Sequence, residues 1–371
     1  MSQHDLKNKG IIKIKNCMTS VINIKKGEGD NFVNVLDNFL SNYRSKKKLS
    51  KLMSEIFDML DYAVILNNKT SRFLKKKVKI DDDENYLRFK KKINEGSYGE
   101  IHSCLLNKVN VIVKNPVYKR KNKDDINSDF IKENLIHIML YCCHDLMNKC
   151  FGMSSVPRCI PEIMNLVKAT DNKMKDEKLL VIMEKLDSDG FDFFEKKHSY
   201  RSELTFIALV AYNLYFLQTS LKQFMHRDLH GGNIMIKKLK KAKKVEIVVN
   251  KNKLFTLYPT YETYIIDFGM ACFDLSSCID ILNMPKSKIS NAGIYESNYC
   301  DNRCHDMRLF LASLYFSYYD TITDKLKVFL SSLLDKYNAS HWHDFYYQVL
   351  KKKDKNLHPE NILKRIQEEL K

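Results

Sequence analysis

Eight consecutive residues, His226-Arg227-Asp228-Leu229-His230-Gly231-Gly232-Asn233, gather acid, base and amide groups at one place in the chain. Thirty-four residues beyond Asn233, Asp267-Phe268-Gly269 follows directly on the apolar run Tyr264-Ile265-Ile266. Carboxylates beside imidazoles are groups for proton transfer, and paired oxygen ligands suit a hard cation such as Mg²⁺. Upstream, Ile93-Asn94-Glu95-Gly96-Ser97-Tyr98-Gly99-Glu100-Ile101 carries two glycines in a hairpin pattern, and Lys114 ends the apolar run Val111-Ile112-Val113 fifteen residues past Gly99. Taken singly, two hairpin glycines are ordinary turn residues and a lysine ending a strand is usually solvated. Their joint order along the chain is what carries information.

In that order the segments resemble the catalytic loop, metal-binding triplet, glycine-rich loop and third-strand lysine of eukaryotic-type protein kinases. Four fixed residues, at roughly one in twenty each, arise by accident in about 0.2% of chains of this length. The resemblance spans about residues 86 to 330 and implies a bilobal α+β fold, with a small β-rich N-lobe and a mainly helical C-lobe. It implies ATP and Mg²⁺, or Mn²⁺, as cofactors and protein substrates as partners. Asp228 would accept the substrate hydroxyl proton, and Asn233 and Asp267 would hold the metal. Lys114 would bind the α and β phosphates with Glu133, the one Glu between Lys114 and Cys150, holding its ammonium. Ile93, Gly96, Ser97, Gly99 and Ile101 would cover the nucleotide. Met183 would be the gatekeeper, and Glu184 and Leu186 would offer backbone groups to adenine. Asp187 or Asp189 would meet the ribose hydroxyls, and Asp306 would brace the catalytic loop from a helix.

The departures from the family pattern are specific. Asn94 stands in the first glycine position and Ile112 where a small Ala is usual. His230 stands where serine/threonine kinases carry Lys and tyrosine kinases Ala or Arg. The loop and the long spacing from Asn233 to Asp267 are similar to haspin and to kinases of large DNA viruses. No Ala-Pro-Glu closes the activation segment, for which Glu296 is the nearest substitute. The main reading is a serine/threonine protein kinase. One rival is a small-molecule kinase of the same fold, disfavoured by Arg227. The other is a pseudokinase scaffold, disfavoured by the presence of Lys114, Asp228, Asn233 and Asp267 together.

These groups need elements to position them. Residues 86–114 read as a hairpin and a third strand, Asp129 to Cys142 as a helix, Leu179 to Met183 as a buried strand, and Glu203 to Phe224 as a long helix. Lys237 to Lys244 reads as a hairpin tip between strands at 234–236 and 246–249, with import-signal and acidic-substrate roles as alternatives. A short strand is expected at 264–266, and mainly helix after Asp306. Before the kinase-like part, Phe32, Val35, Leu36, Phe39 and Leu40, then Leu52, Met53, Ile56, Phe57 and Leu60, recur at helical steps. The division is therefore a helical extension and linker (1–85), an N-lobe (86–183) and a C-lobe (184–371). The extension is expected to dock on the small lobe, with binding of another chain as the alternative.

Composition bounds the rest. The chain has 371 residues, 44% of them hydrophobic, with 11 Gly and 6 Pro, which excludes disordered and collagen-like classes. Its net charge is +17, but 52 of the 62 basic residues are Lys against 10 Arg, with 31 Asn and only 9 Ala. Because Lys and Asn codons are AT-rich, this excess reads as genome bias on a solvated surface, and a nucleic-acid partner is not expected. The longest apolar stretch, Leu204 to Leu217, is 14 residues and contains Asn213, short of the roughly 20 a membrane span needs. The charged first ten residues do not form a secretory signal. Ten scattered Cys read as reduced thiols, and Cys300, Cys304 and His305 lack the paired spacing of a structural zinc site. The expected location is an intracellular, reducing compartment, cytoplasmic or nuclear in a host cell, with packaging in virions compatible with a viral source.

Overall fold

Alternation in the first half of the first long strand sets one face against a core: Leu87 and Phe89 are buried while Arg88 and Lys90 are exposed. The structure is a computed structural model that describes residues 77–79, 86–95, 99–106, 108–116, 133, 137, 140, 158–171, 176–220, 224–250, 252–271, 304–334 and 355–371. The N-terminal helices expected over 31–66 lie outside the described residues, as do Gly96, Ser97, the activation segment with Glu296, and the docking expected of the extension. The chain divides into two compact units, one running to Lys185 and the other including Leu186–Lys371, so the division falls two residues past the expected 183/184 boundary. Residues 158–160 belong to the second unit.

The first unit is an antiparallel sheet of β1 (Lys77–Lys79), β2 (Tyr86–Glu95), β3 (Gly99–Leu106), β4 (Val109–Pro116), β5 (Ile163–Asp171) and β6 (Asp176–Glu184), in the order β1-β2-β3-β4-β6-β5. One face closes over Leu87, Phe89, Cys104, Leu106, Val111, Val113, Leu180 and Ile182. Each such aliphatic or aromatic side chain gains about 1.5–3 kcal/mol from burial. Residues 133, 137 and 140 are helical, and their spacing of four and three puts them on one helix face. Strand β1, in the segment read as a linker, strand β5 and the start of β6 were not foreseen, because their charged residues interrupt any apolar run.

The second unit is mainly helical: α1 (Gly190–Phe194), α2 (Tyr200–Ser220), α3 (His305–Ser317), α4 (Asp324–Leu334) and α5 (Pro359–Glu369). Buried residues from Leu204 to Leu217 surround α2 on nearly every side, which makes it a central helix. Its described residues run Tyr200–Ser220, and Phe224, where it was expected to end, is not helical. Glu203, buried in its first turn, accepts from Thr323 N at 2.9 Å, and Asn213 Nδ2 donates to Thr263 O at 2.8 Å, so these two buried polar groups tie it to the start of α4 and to a strand. No helix among the described residues is long and apolar enough to cross a membrane.

The Lys-rich segment departs from expectation. Strand β8 (Ile234–Lys238) has β7 (Ser188–Asp189) on one edge and β11 (Tyr261–Ile265) on the other. With both edges filled, β9 (Val245–Val249) pairs instead with β10 (Asn252–Leu257), a strand the sequence reading omitted. Lys237 to Lys244 is therefore a connection between two sheets and not a hairpin tip. It runs along 259–260, with Leu239 N donating to Thr260 O at 2.7 Å and Lys243 N to Pro259 O at 2.9 Å.

Candidate active site

In the β-sheet unit the register decides which side chains share a face. Ile101 pairs with Lys114, which pairs with Val181, while Ser103 pairs with Ile112, which pairs with Met183. Directly paired residues point the same way, so Ile101, Lys114, Ile112 and Met183 lie on the face opposite the core that takes Val111 and Val113. Lys114 forms a short ion pair with Glu133, and both side chains are largely out of water. One turn on, His137 accepts burial by giving its Nε2 to Pro161 O at 3.0 Å; burial holds its pKa down to about 4, and the neighbouring Lys114 charge acts in the same direction. The expected lysine–glutamate pair is thus in place, and His137 is a neutral partner of the same helix face that the sequence reading missed.

The hairpin below the glycine-rich loop is also fixed. Glu95 and Glu100 face one another across β2 and β3, and Lys92 reaches both, at 2.9 Å from Glu100 Oε1. Burial works against the charge on Glu100, but hydrogen bonds from Lys92 and His102 prevail and keep its carboxyl below the ordinary range. Asn94 Oδ1 caps Glu95 N at 2.8 Å, a bond a glycine there could not supply. Ile93 sits at a bulge between Lys92 and Asn94 and is 48% exposed, and Gly99 is buried at the start of β3. At the other end of the sheet Glu184 N donates to Glu162 O at 3.0 Å and Glu184 Oε1 accepts from Glu162 N at 2.8 Å, which ties the end of β6 to the entry into β5.

In the helical unit, the catalytic-loop candidates are suspended from Asp306. Its two oxygens accept from His226 N at 2.8 Å and Arg227 N at 2.7 Å. Complete burial pushes the Asp306 carboxyl up to about 6 in spite of those two donors and the Arg227 charge. Arg227 adopts φ 68°, a left-handed conformation costly for a long side chain, and Asp267 does the same at φ 64°. His226 links the two strained points: its Nε2 donates to Ile266 O at 2.8 Å and its Nδ1 accepts from Asp228 N at 3.3 Å. Burial holds this imidazole neutral, near pKa 4, and Phe268 packs against it with ring centroids 5.4 Å apart. Ile266 N donates to Asn233 O at 3.0 Å, so the Asp267 segment is stitched to both ends of the loop.

Asp228 is half-buried. Partial loss of solvent raises its pKa and the Asp267 charge adds to this, while His230 and Asn233 oppose it. A carboxylate whose pKa is raised is better matched to proton transfer than an ordinary aspartate. Asn233 Nδ2 donates to Asp228 O at 2.8 Å and lies 3.4 Å from Asp228 Oδ2, which leaves its Oδ1 as the oxygen a cation can use. Among the described residues no group of three or more His, Cys, Asp and Glu forms a metal cage. Asn233 and Asp267 as the two oxygen donors fit a cation of the Mg²⁺ type, which keeps waters and takes the rest of its shell from substrate phosphates.

Below the loop lies Phe191 of α1, which the sequence reading missed although it opens the aromatic run Phe191-Asp192-Phe193-Phe194. Its ring stacks on His230 with centroids 5.5 Å apart and planes 12° from parallel. A Cβ at Gly231 would come within 2.5 Å of Phe191 Cδ1, so the turn at Gly231–Asn233 can approach this ring only because residue 231 has no side chain. Gly231→Ala is therefore expected to destabilise the protein by about 1–3 kcal/mol. Urea unfolding checks it, and an unchanged midpoint contradicts the close approach. The two ribose candidates both have structural partners: Asp187 Oδ2 accepts from Lys238 N at 2.7 Å, and Asp189 caps α1 through Asp192 N at 2.8 Å in a capping box.

Residues 87–271 match the family model described as protein tyrosine and serine/threonine kinase. No curated protein matches the chain. The match begins at Leu87 in β2 and ends just beyond the Phe268–Met270 turn, and so takes in Lys114, Glu133, Asp228, Asn233 and Asp267. A β-sheet unit followed by a mainly helical one, carrying these residues in this order, makes residues 87–271 a protein kinase domain of the eukaryotic-type superfamily.

Proposed function

We propose that the chain is an active protein kinase that transfers the γ-phosphoryl group of Mg-ATP to serine or threonine hydroxyls of proteins, with Asp228 as the base. The observation that carries this reading is the setting of Asp228: its backbone N donates to His226 Nδ1, Asn233 Nδ2 donates to its backbone O and lies 3.4 Å from its Oδ2, and burial raises the pKa of its half-buried carboxyl. Phosphoryl transfer has a loose transition state, so the protein's task is to align groups and offset charge. Lys114, braced by Glu133, supplies a fixed cation for the nucleotide phosphates. Asn233 and Asp267 hold the metal, which when bound offsets charge on the phosphate oxygens. Asp228 orients the acceptor hydroxyl and takes its proton. The likeness of the loop to haspin and to kinases of large DNA viruses favours serine or threonine as acceptor and a viral source. Incubation with γ-labelled ATP and a panel of basic and acidic proteins, followed by phosphoamino-acid analysis, tests the reading. Label on serine or threonine supports it; label on tyrosine alone, label only on small molecules, or no transfer overturns it.

The arginine beside the base bears on regulation. Arg227 is 2% exposed and its Nε donates to Met270 O at 2.6 Å, so the group that would pair with a phosphorylated activation segment is engaged inside its own unit. Between Gly269 and Glu296 the hydroxyls are Ser276, Ser277, Ser287, Ser290 and Tyr295, with no Thr. Protein made in bacteria is expected to stay active after phosphatase treatment. Loss of activity on treatment, reproduced by one Ser→Ala change in that segment, contradicts this.

A further inference from the structure

Residues 237–264 carry eight lysines against two glutamates and no arginine, twice the lysine frequency of the whole chain, so genome bias accounts for only part of the excess. Lys238, Lys240, Lys241, Lys243 and Lys244 are all exposed, on a connection whose backbone is bonded to Thr260 and Pro259. The two glutamates are already taken: Glu262 by Lys243 at 2.6 Å, and Glu246 by Lys244 and Lys253, each at 2.8 Å. Asp187 accepts from Lys238 N and not from its ammonium. Lys238, Lys240 and Lys241 thus have no ion-pair partner among the described residues. Tyr258, next to the Pro259 that Lys243 N bonds, is 65% exposed, so an uncovered aromatic ring flanks the connection. Strand β8 starts at Ile234, directly after Asn233, and ends at Lys238. At about 3.3 Å per residue, Lys238 lies roughly 16 Å along the strand from Asn233.

We propose, resting on the kinase reading above, that residues 238–244 with Tyr258 form a docking surface that recruits protein substrates through a run of Asp and Glu side chains. That run stands at least about five extended residues from the acceptor hydroxyl, the separation that β8 imposes. Lysine suits this occupant, because an ammonium on a flexible stem pairs with carboxylates of any spacing. Recognition of phosphate groups, in nucleic acids or phosphopeptides, favours the planar arginine fork, which the segment lacks. Each exposed pair contributes little, but several free cations in a field that the two glutamates do not cancel concentrate an acidic chain beside the catalytic loop. Lysines that only kept sheet edges from pairing with other chains would show no such preference.

Full-length wild type is compared with a variant carrying Lys238→Gln, Lys240→Gln and Lys241→Gln together. A fluorescein-labelled octaglutamate peptide is expected to bind wild type, to bind the variant about tenfold more weakly, and to be released by salt. With acidic proteins of the substrate panel the variant is expected to show a KM raised about tenfold at unchanged kcat, and with basic proteins no rise in KM. Single-stranded DNA of equal charge that binds wild type more tightly than the peptide, and loses that binding in the variant, makes this a nucleic-acid face and overturns the proposal. Equal peptide binding by both proteins, transfer to basic proteins alone, or an unchanged KM for acidic ones overturns it too and leaves the kinase reading intact. Wild type that binds the peptide but transfers no phosphate to any protein overturns the kinase reading, and substrate recruitment falls with it.

Discussion

Asp228→Asn is expected to lower phosphoryl transfer by about 10²–10⁴-fold, the usual worth of a positioned general base. The substitution preserves shape and leaves the backbone bonds intact: Asp228 N still donates to His226 Nδ1, and Asp228 O still accepts from Asn233 Nδ2. Nucleotide affinity should therefore change little, because Lys114 and Asp267 are untouched. Single-turnover transfer measured beside equilibrium binding of a fluorescent ATP analogue separates the two quantities. Near-normal turnover would remove Asp228 from the role of base. Equal losses in binding and turnover would instead point to a general collapse of the loop.

Asp306→Asn is expected to be nearly as damaging for a different reason. The carboxylate accepts from two backbone N–H groups, and it is fully buried. An amide offers one acceptor and sets its own NH₂ against the second N–H, leaving a buried donor without a partner at a cost of about 1–3 kcal/mol. Because Arg227 is already in a left-handed conformation, the freed backbone relaxes towards ordinary φ and carries Asp228 with it. A shift of about 1 Å at a catalytic group can cost on the order of 10²-fold in rate. The expected result is a lower unfolding midpoint together with a lower kcat. A variant that loses stability but keeps its kcat would show that Asp306 supports the fold without setting the loop.

The candidate site was legible to the extent that its residues are marked by type and spacing. Lys114 was read from its place fifteen residues past Gly99 in the kinase-like order, since a lysine ending a strand is by itself usually solvated, and Glu133 from the same resemblance as the one Glu between Lys114 and Cys150. Their ion pair follows once the helix carrying residues 133, 137 and 140 packs beside β4. Asp306 was readable only through the family pattern, since nothing local distinguishes it from a surface acid in the first turn of a helix. Asp187 and Asp189 show the opposite case: both fall where ribose contacts were expected, yet one caps a strand end and the other a helix. A carboxylate in a loop serves either purpose, and linear sequence does not distinguish a backbone N–H partner from a ligand.

Sequence by itself determined the strand alternation at Leu87 and Phe89, the buried helix from Leu204 to Leu217, and the residue types and spacing of Asp228, Asn233 and Asp267 that resemble a kinase. These depend on side-chain type and on periods of two or 3.6 residues, which are local properties. Tertiary structure alone decided that Asp306 grips the loop from 80 residues away, that Phe191 floors His230, and that β9 turns from β8 to β10. Those outcomes follow from which surfaces pack and which sheet edges are already filled. Such long-range choices are set by the free energy of the whole fold, so no window of the chain contains them.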